Sequence, residues 1–167
     1  MITKDQLAAS MLRDCDLILH LHGKLAPEDA DHRPSERQRS TLELLRYLSI
    51  CAAAGLDCMA HADWSRFKGH AERAAAMPFE GFPAAMEAQK AAIAAFFAGV
   101  SEETLETQEA PLPGGRGTAP LGLAIFNGPQ KWLAAYKQQL FLYAKACGKP
   151  ELATANLWAG LDPAPKA

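Results

Sequence analysis

Apolar residues return every three to four positions along four stretches of this chain, the spacing that gives a helix one buried face. In the first stretch Leu7, Met11, Ile18, Leu21 and Leu25 share one side, with Arg13, Asp16, His20 and Lys24 on the other. Thr3-x-x-Gln6 opens it as a capping box, and Pro27 closes it after Leu25. Residues 26–39 are polar, carry two prolines and read as a connection. A second capping box, Ser40-x-x-Glu43, starts the next helix, whose Leu44, Leu45, Tyr47, Leu48 and Cys51 carry it to about Ala54. Gly55 is the residue type favoured just past a helix end. Residues 56–82 are less periodic and predict at most a short helix capped by Asp63. A third helix begins at Pro83, a good first-turn residue, and presents Met86, Ile93, Phe96, Phe97 and Val100. Beyond Gly99 the chain is acidic, then Gly/Pro-rich, which predicts a long surface loop to Pro120. Leu121 to Phe126 supplies the first turns of the last helix, with a kink or restart at Gly128-Pro129 and an amphipathic run to Cys147.

These elements predict an all-α four-helix bundle over residues 1–150, with two long connections. In the tail, residues 151–167, the segment LATANLWAGL packs on the bundle and the Pro-rich end frays.

Composition narrows the partners. At 167 residues one domain is the prior, and the single valine leaves little from which to build a sheet. A net charge of −2 gives no electrostatic reason to expect nucleic acid or an anionic membrane. No apolar run reaches about 18 residues, and the N-terminus lacks a secretory core, so the expected location is cytoplasmic. The four cysteines are scattered and read as free thiols. Long apolar helix faces favour self-association, and a homodimer is expected.

The candidate chemistry starts on the last helix. Trp132, Tyr136, Gln139 and Tyr143 form a stripe with an indole N–H, an amide and two phenols, beside Leu140 and Cys147. It could line a small-molecule pocket, or consist of core-edge residues whose polar tips find backbone or water. Asp14 and His22 lie on the apolar face of the first helix, about 12 Å apart along its axis. Each must meet groups from another helix. His22 could act as a general base with Tyr47 or Tyr136, or be an interior histidine; Asp14 could pair with an arginine such as Arg46. Asp16 and His20 read as a solvated i, i+4 pair. Cys51, Cys58 and His61 lack zinc-site spacing, and Gly114-Gly115-Arg116-Gly117 lacks the Lys-Ser/Thr ending of a phosphate loop. No metal and no cofactor is expected.

The closing helix, with YKQQLFLYAKACG, and the second helix, STLELLRYLSI after RPSE, resemble those of the DinB-like (YfiT-like) bundle family. The resemblance spans roughly Leu7 to Gly148. It implies an up-down-down-up bundle with a long crossover between helices two and three, and a loop before helix four. It also implies a three-histidine metal site, one ligand on helix two and a His-x-x-x-His pair on helix four ahead of Gln-Leu. In this chain those positions carry Tyr47, Trp132 and Tyr136, before Gln139-Leu140. Three readings follow. The first is a metal-free relative that binds a small ligand or is structural. The second is a transferase or hydrolase using His22, Asp14 and the phenols, or a displaced metal. The third is a homodimeric interaction module using the Ala-rich third helix or Trp158.

Overall fold

The computed structural model describes residues 2–162. Both capping boxes form. Gln6 N donates to Thr3 Oγ1 and Thr3 N to Gln6 Oε1, starting α1 at Lys4–His22. Ser40 N donates to Glu43 Oε2 and Glu43 N to Ser40 Oγ, starting α2 at Thr41–Leu48. Each box satisfies two backbone donors that a helix start leaves free. The chain continues through α3 (Cys51–Ala60), α4 (Arg66–Ala75), α5 (Phe82–Gly99) and α6 (Glu102–Thr107). A short hairpin, β1 (Glu109–Pro111) with β2 (Thr118–Pro120), leads to α7 (Leu121–Ile125), α8 (Lys131–Ala146) and α9 (Thr154–Trp158).

Four helical limbs make the up-down-down-up bundle: α1, α2 with α3, α5, and α7 with α8. Helix α1 lies against α5 and α8, α2 against α8, and α3 against α5. Between them Met11, Ile18, Leu44, Leu48, Met86, Ile93, Leu133 and Leu140 are fully buried. Among the described residues no helix is long and apolar enough to cross a membrane.

The structure corrects several expected boundaries. Helix α1 ends at His22, because Gly23 caps it through Leu19 O; Leu25 follows in a tighter turn and is still buried. The second limb does not stop at Gly55. It breaks earlier, at Ser49–Ile50, where Ile50 has φ −130°, and then runs on to Ala60. Gln89 of α5 closes that break. Its Oε1 accepts from Ala52 N and Ala53 N, and its Nε2 donates to Leu48 O. One buried amide thus serves backbone groups that the broken helix leaves without partners. Gly55 is inside α3 because helix four crosses there: a Cβ would meet Pro129 Cγ at 2.7 Å and Trp132 Cζ3 at 2.8 Å.

The expected long loop after Gly99 contains α6 and the hairpin. Ala110 pairs with Ala119 in antiparallel register. Gly114 and Gly115 both take positive φ (76° and 70°), as a tight hairpin turn requires. Before α4, the Asp63 carboxylate accepts from Ser65 N, one residue ahead of the helix. The tail turns back on α1. Leu157 and Asn156 are buried, Arg13 donates to Trp158 O, and Lys24 pairs with Asp162 at 2.7 Å. The end expected to fray lies outside the described residues.

Candidate functional site

Helix four is interrupted where the sequence places Gly128-Pro129. Proline has no N–H to give the ladder, and the chain takes a wider π turn over Phe126–Gln130 before α8. This extra residue per turn sets which side chains of α8 face inward. Leu133, Lys137, Leu140, Phe141, Tyr143 and Ala144 are buried, while Trp132, Tyr136 and Gln139 are half-buried on one edge of that face.

Tyr136 meets Tyr47 of α2 edge to face, ring centroids 4.8 Å apart. The Arg39 guanidinium caps both rings, at 4.4 Å from the Tyr47 centroid and 5.5 Å from that of Tyr136. Phe67 of α4 lies beyond Tyr47 at 6.3 Å. One turn back along α8, Trp132 packs beside Trp64 at 6.1 Å. The Trp64 Nε1 is buried and has no hydrogen-bond partner among the described residues. Trp132 is also a wall of a cleft of about 550 Å³ that it shares with Leu112, Pro113, Arg116 and Lys131. Burial pushes the Tyr47 phenol above its ordinary pKa, with Cys51 and Tyr136 adding to the shift, so it stays neutral. Gln139 and Tyr143 are tied off structurally. Gln139 Nε2 donates to the Tyr143 hydroxyl, which donates to Arg39 O at 2.9 Å and so anchors the loop that carries Arg39.

Asp14 and His22 do not join this cluster. Asp14 reaches α8 rather than Arg46: Lys137 Nζ lies 2.6 Å from Oδ1, and Gln130 Nε2 donates to Oδ2 at 2.8 Å. Arg46 instead donates to Met77 O. Lys137 is 2% and Asp14 8% exposed, and the Trp158 ring covers the ammonium at 4.7 Å. His22 is held between Phe79 and Phe82, at 4.7 and 4.9 Å, with Nε2 buried and unpartnered among the described residues. Desolvation lowers its pKa. His22 is therefore a half-buried ring packed between two phenylalanines at one end of α1, and Asp14 half of a buried ion pair. Asp16 pairs with Lys90 of α5 at 2.7 Å instead of with His20, which meets Asn156 of α9.

Sequence reading missed Lys137, Gln130, Arg39 and Gln89. Lys137 carries a readable signal, a charge in register with Leu133, Leu140 and Ala144. Arg39 carries none, because loop stacking has no periodicity.

At the positions where the resemblance implies metal ligands the donors are a neutral phenol, an indole and a second phenol. An indole N–H cannot ligate, and phenols in an aromatic stack do not make the nitrogen or carboxylate set a divalent ion takes. Among the described residues no three of His, Cys, Asp or Glu converge to hold a metal ion. The residues do not fit the group.

No protein-family model matches the chain, and no curated protein matches it. Among solved structures it is similar to the crystal structure of YjoA, a DinB-like protein from Bacillus subtilis. The TM-score is 0.68 at 16% identity, over 89% of this chain and 96% of that one. The likeness shows the fold, a DinB-like all-α bundle.

Proposed function

We propose that this DinB-like bundle binds a small organic anion on the Trp132, Tyr136 and Tyr47 face, with Arg39 as counter-ion, and does so without a metal. The observation that carries the reading is the Arg39 guanidinium stacked over two phenols at the positions where a metal would be ligated. Stacked aromatics give a flat ligand a low-entropy contact surface, and a guanidinium over them supplies charge for an acid group. The unpartnered Trp64 N–H beside Trp132 adds a directed donor. Separation of His22 and Asp14 from the phenols weighs against a transferase or hydrolase built on all four. The protein acts as a homodimer in the cytoplasm in this reading.

Titration of the purified chain with indole-3-acetate and benzoate, followed by tryptophan fluorescence, tests it. Saturable quenching that is lost in Y136A and weakened in R39Q is expected. A flat response to both acids, or a stoichiometric transition metal in untagged protein, refutes the proposal. A monomer by light scattering removes the homodimer from it.

A further inference from the structure

We propose that the cleft between α3, α4 and α5 is a second, separate binding site, for a small apolar monocarboxylate, with Arg73 as counter-ion and His70 as directional hydrogen-bond partner. The cleft measures about 370 Å³, and Ala53, Ala85, Ala88 and Ala92 are among its walls. Alanine walls leave room where larger side chains would close two helices together, and their surface is apolar. This size suits a short aliphatic or single-ring molecule.

Of the polar side chains that line the cleft, Ser49 and Gln89 bond backbone groups, which leaves His70 and Arg73, and His70 is held from outside the cleft. His70 Nε2 lies 3.0 Å from Asp57 Oδ2 of α3. Arg66 donates to the other oxygen of Asp57 at 2.8 Å, and His61 Nδ1 lies 3.2 Å from it. The Arg66 hydrogen bond, followed by that of His70, holds the Asp57 carboxyl below its usual pKa. Asp57 is therefore an anion that orients the imidazole through Nε2. In the imidazolium form Nε2–H donates to Asp57, and Nδ1–H, which has no protein partner among the described residues, is left to donate to a ligand carboxylate. Arg73 follows His70 by three residues on α4, so the two side chains stand on one face of the helix. No carboxylate of the described residues lies within 4.0 Å of the Arg73 guanidinium.

One uncompensated cation at the rim of an apolar cleft matches a monoanion with a hydrocarbon body. A phosphate would ask for more donors than Arg73 and one imidazole nitrogen supply. The site shares no wall with the Trp132 and Tyr136 face, so the two proposals stand or fall separately.

Two-dimensional NMR of the full chain, titrated to millimolar hexanoate, benzoate and, as neutral isostere, hexanamide, decides it. Saturable shifts at the Ala85, Ala88 and Ala92 amides are expected with both acids. Hexanamide should bind at least about tenfold more weakly, and R73Q should lose about the same factor for hexanoate. A88L fills the cleft from an exposed position, so it should fold normally and abolish the shifts. D57N should change the His70 ring-nitrogen signals and weaken hexanoate binding. Equal binding of hexanamide, shifts confined to Trp132 and Tyr136, shifts that follow protein rather than ligand concentration, or no saturation in the wild type would each overturn the proposal.

Discussion

Replacing Lys137 by methionine keeps the buried stem and removes the ammonium that faces Asp14. At the 2.6 Å separation of Lys137 Nζ and Asp14 Oδ1, an effective dielectric of about 20 gives an attraction of about 6 kcal/mol. Burying the two ions costs several kcal/mol each, so the pair stands close to break-even. The Gln130 hydrogen bond and the Trp158 ring over Lys137 add to its favourable side. Break-even holds only while both charges are present. In K137M, Asp14 keeps the single bond from Gln130 in a site where it is 8% exposed. The expected loss is about 3–5 kcal/mol, or a Tm lower by roughly 6–20 °C for a chain of this size. D14L should lose a similar amount, by stranding the ammonium. The double variant D14L/K137M strands neither and should return to within about 1 kcal/mol of the wild type. Urea unfolding followed by far-UV circular dichroism measures all four proteins, with unchanged m-values as the check on two-state behaviour. A double variant as unstable as the sum of the single ones would refute the reasoning. So would a K137M loss below about 1 kcal/mol.

Three further outcomes follow from other parts of the bundle. Q89L keeps volume but leaves Ala52 N and Ala53 N unpaired at the helix break and Leu48 O with only the weak Cys51 thiol; a loss of about 2–4 kcal/mol is expected, with faster amide exchange at Ala52 and Ala53, and unchanged exchange there would contradict the clamp. G55A would gain about 0.5–1 kcal/mol in an open helix, but its methyl meets Pro129 and Trp132 below 3 Å, so thermal melting should show a loss of about 1–3 kcal/mol rather than a gain. His22 has a folded pKa below its ordinary 6.5, so the unfolded chain takes the proton first. Its contribution is whole above that value and falls away as the pH drops from there through the folded pKa. H22F should flatten that part of the stability–pH curve, apart from the slope from His20, whose pKa is also lowered. An unchanged curve would place the sensitivity elsewhere.

How much of the bundle was legible follows from which forces act locally. Capping boxes are local chemistry, and Thr3 with Gln6 and Ser40 with Glu43 start helices where the sequence says they should. The helix-two stop was misread because Gly55 answers to a neighbour, not to its own helix: it is where Pro129 and Trp132 cross. The break that does occur, at Ser49–Ile50, depends on Gln89 from forty residues away, and no window along the chain contains both. On α8 the predicted inward face runs through Trp132, Tyr136, Leu140, Tyr143 and Cys147; Leu140 and Tyr143 are buried, but Trp132 and Tyr136 lie at the edge and the buried line instead takes in Leu133, Lys137 and Ala144. Bulky aromatics dominate that pattern, and Lys137 has no assigned side in it. Asp14 already required a cation from another helix, since an isolated charge on an apolar face is expensive. Lys137 is the cation that sits on an apolar face of its own. Each of the two charges breaks the pattern of its helix, and the breaks complement one another, so a buried lysine and a buried aspartate on separate amphipathic helices are evidence for contact between those helices. Such a pair brings helix one to helix four from sequence, and turns Trp132 and Tyr136 outward to the edge where Tyr136 meets Tyr47 and Arg39 and Trp132 meets Trp64.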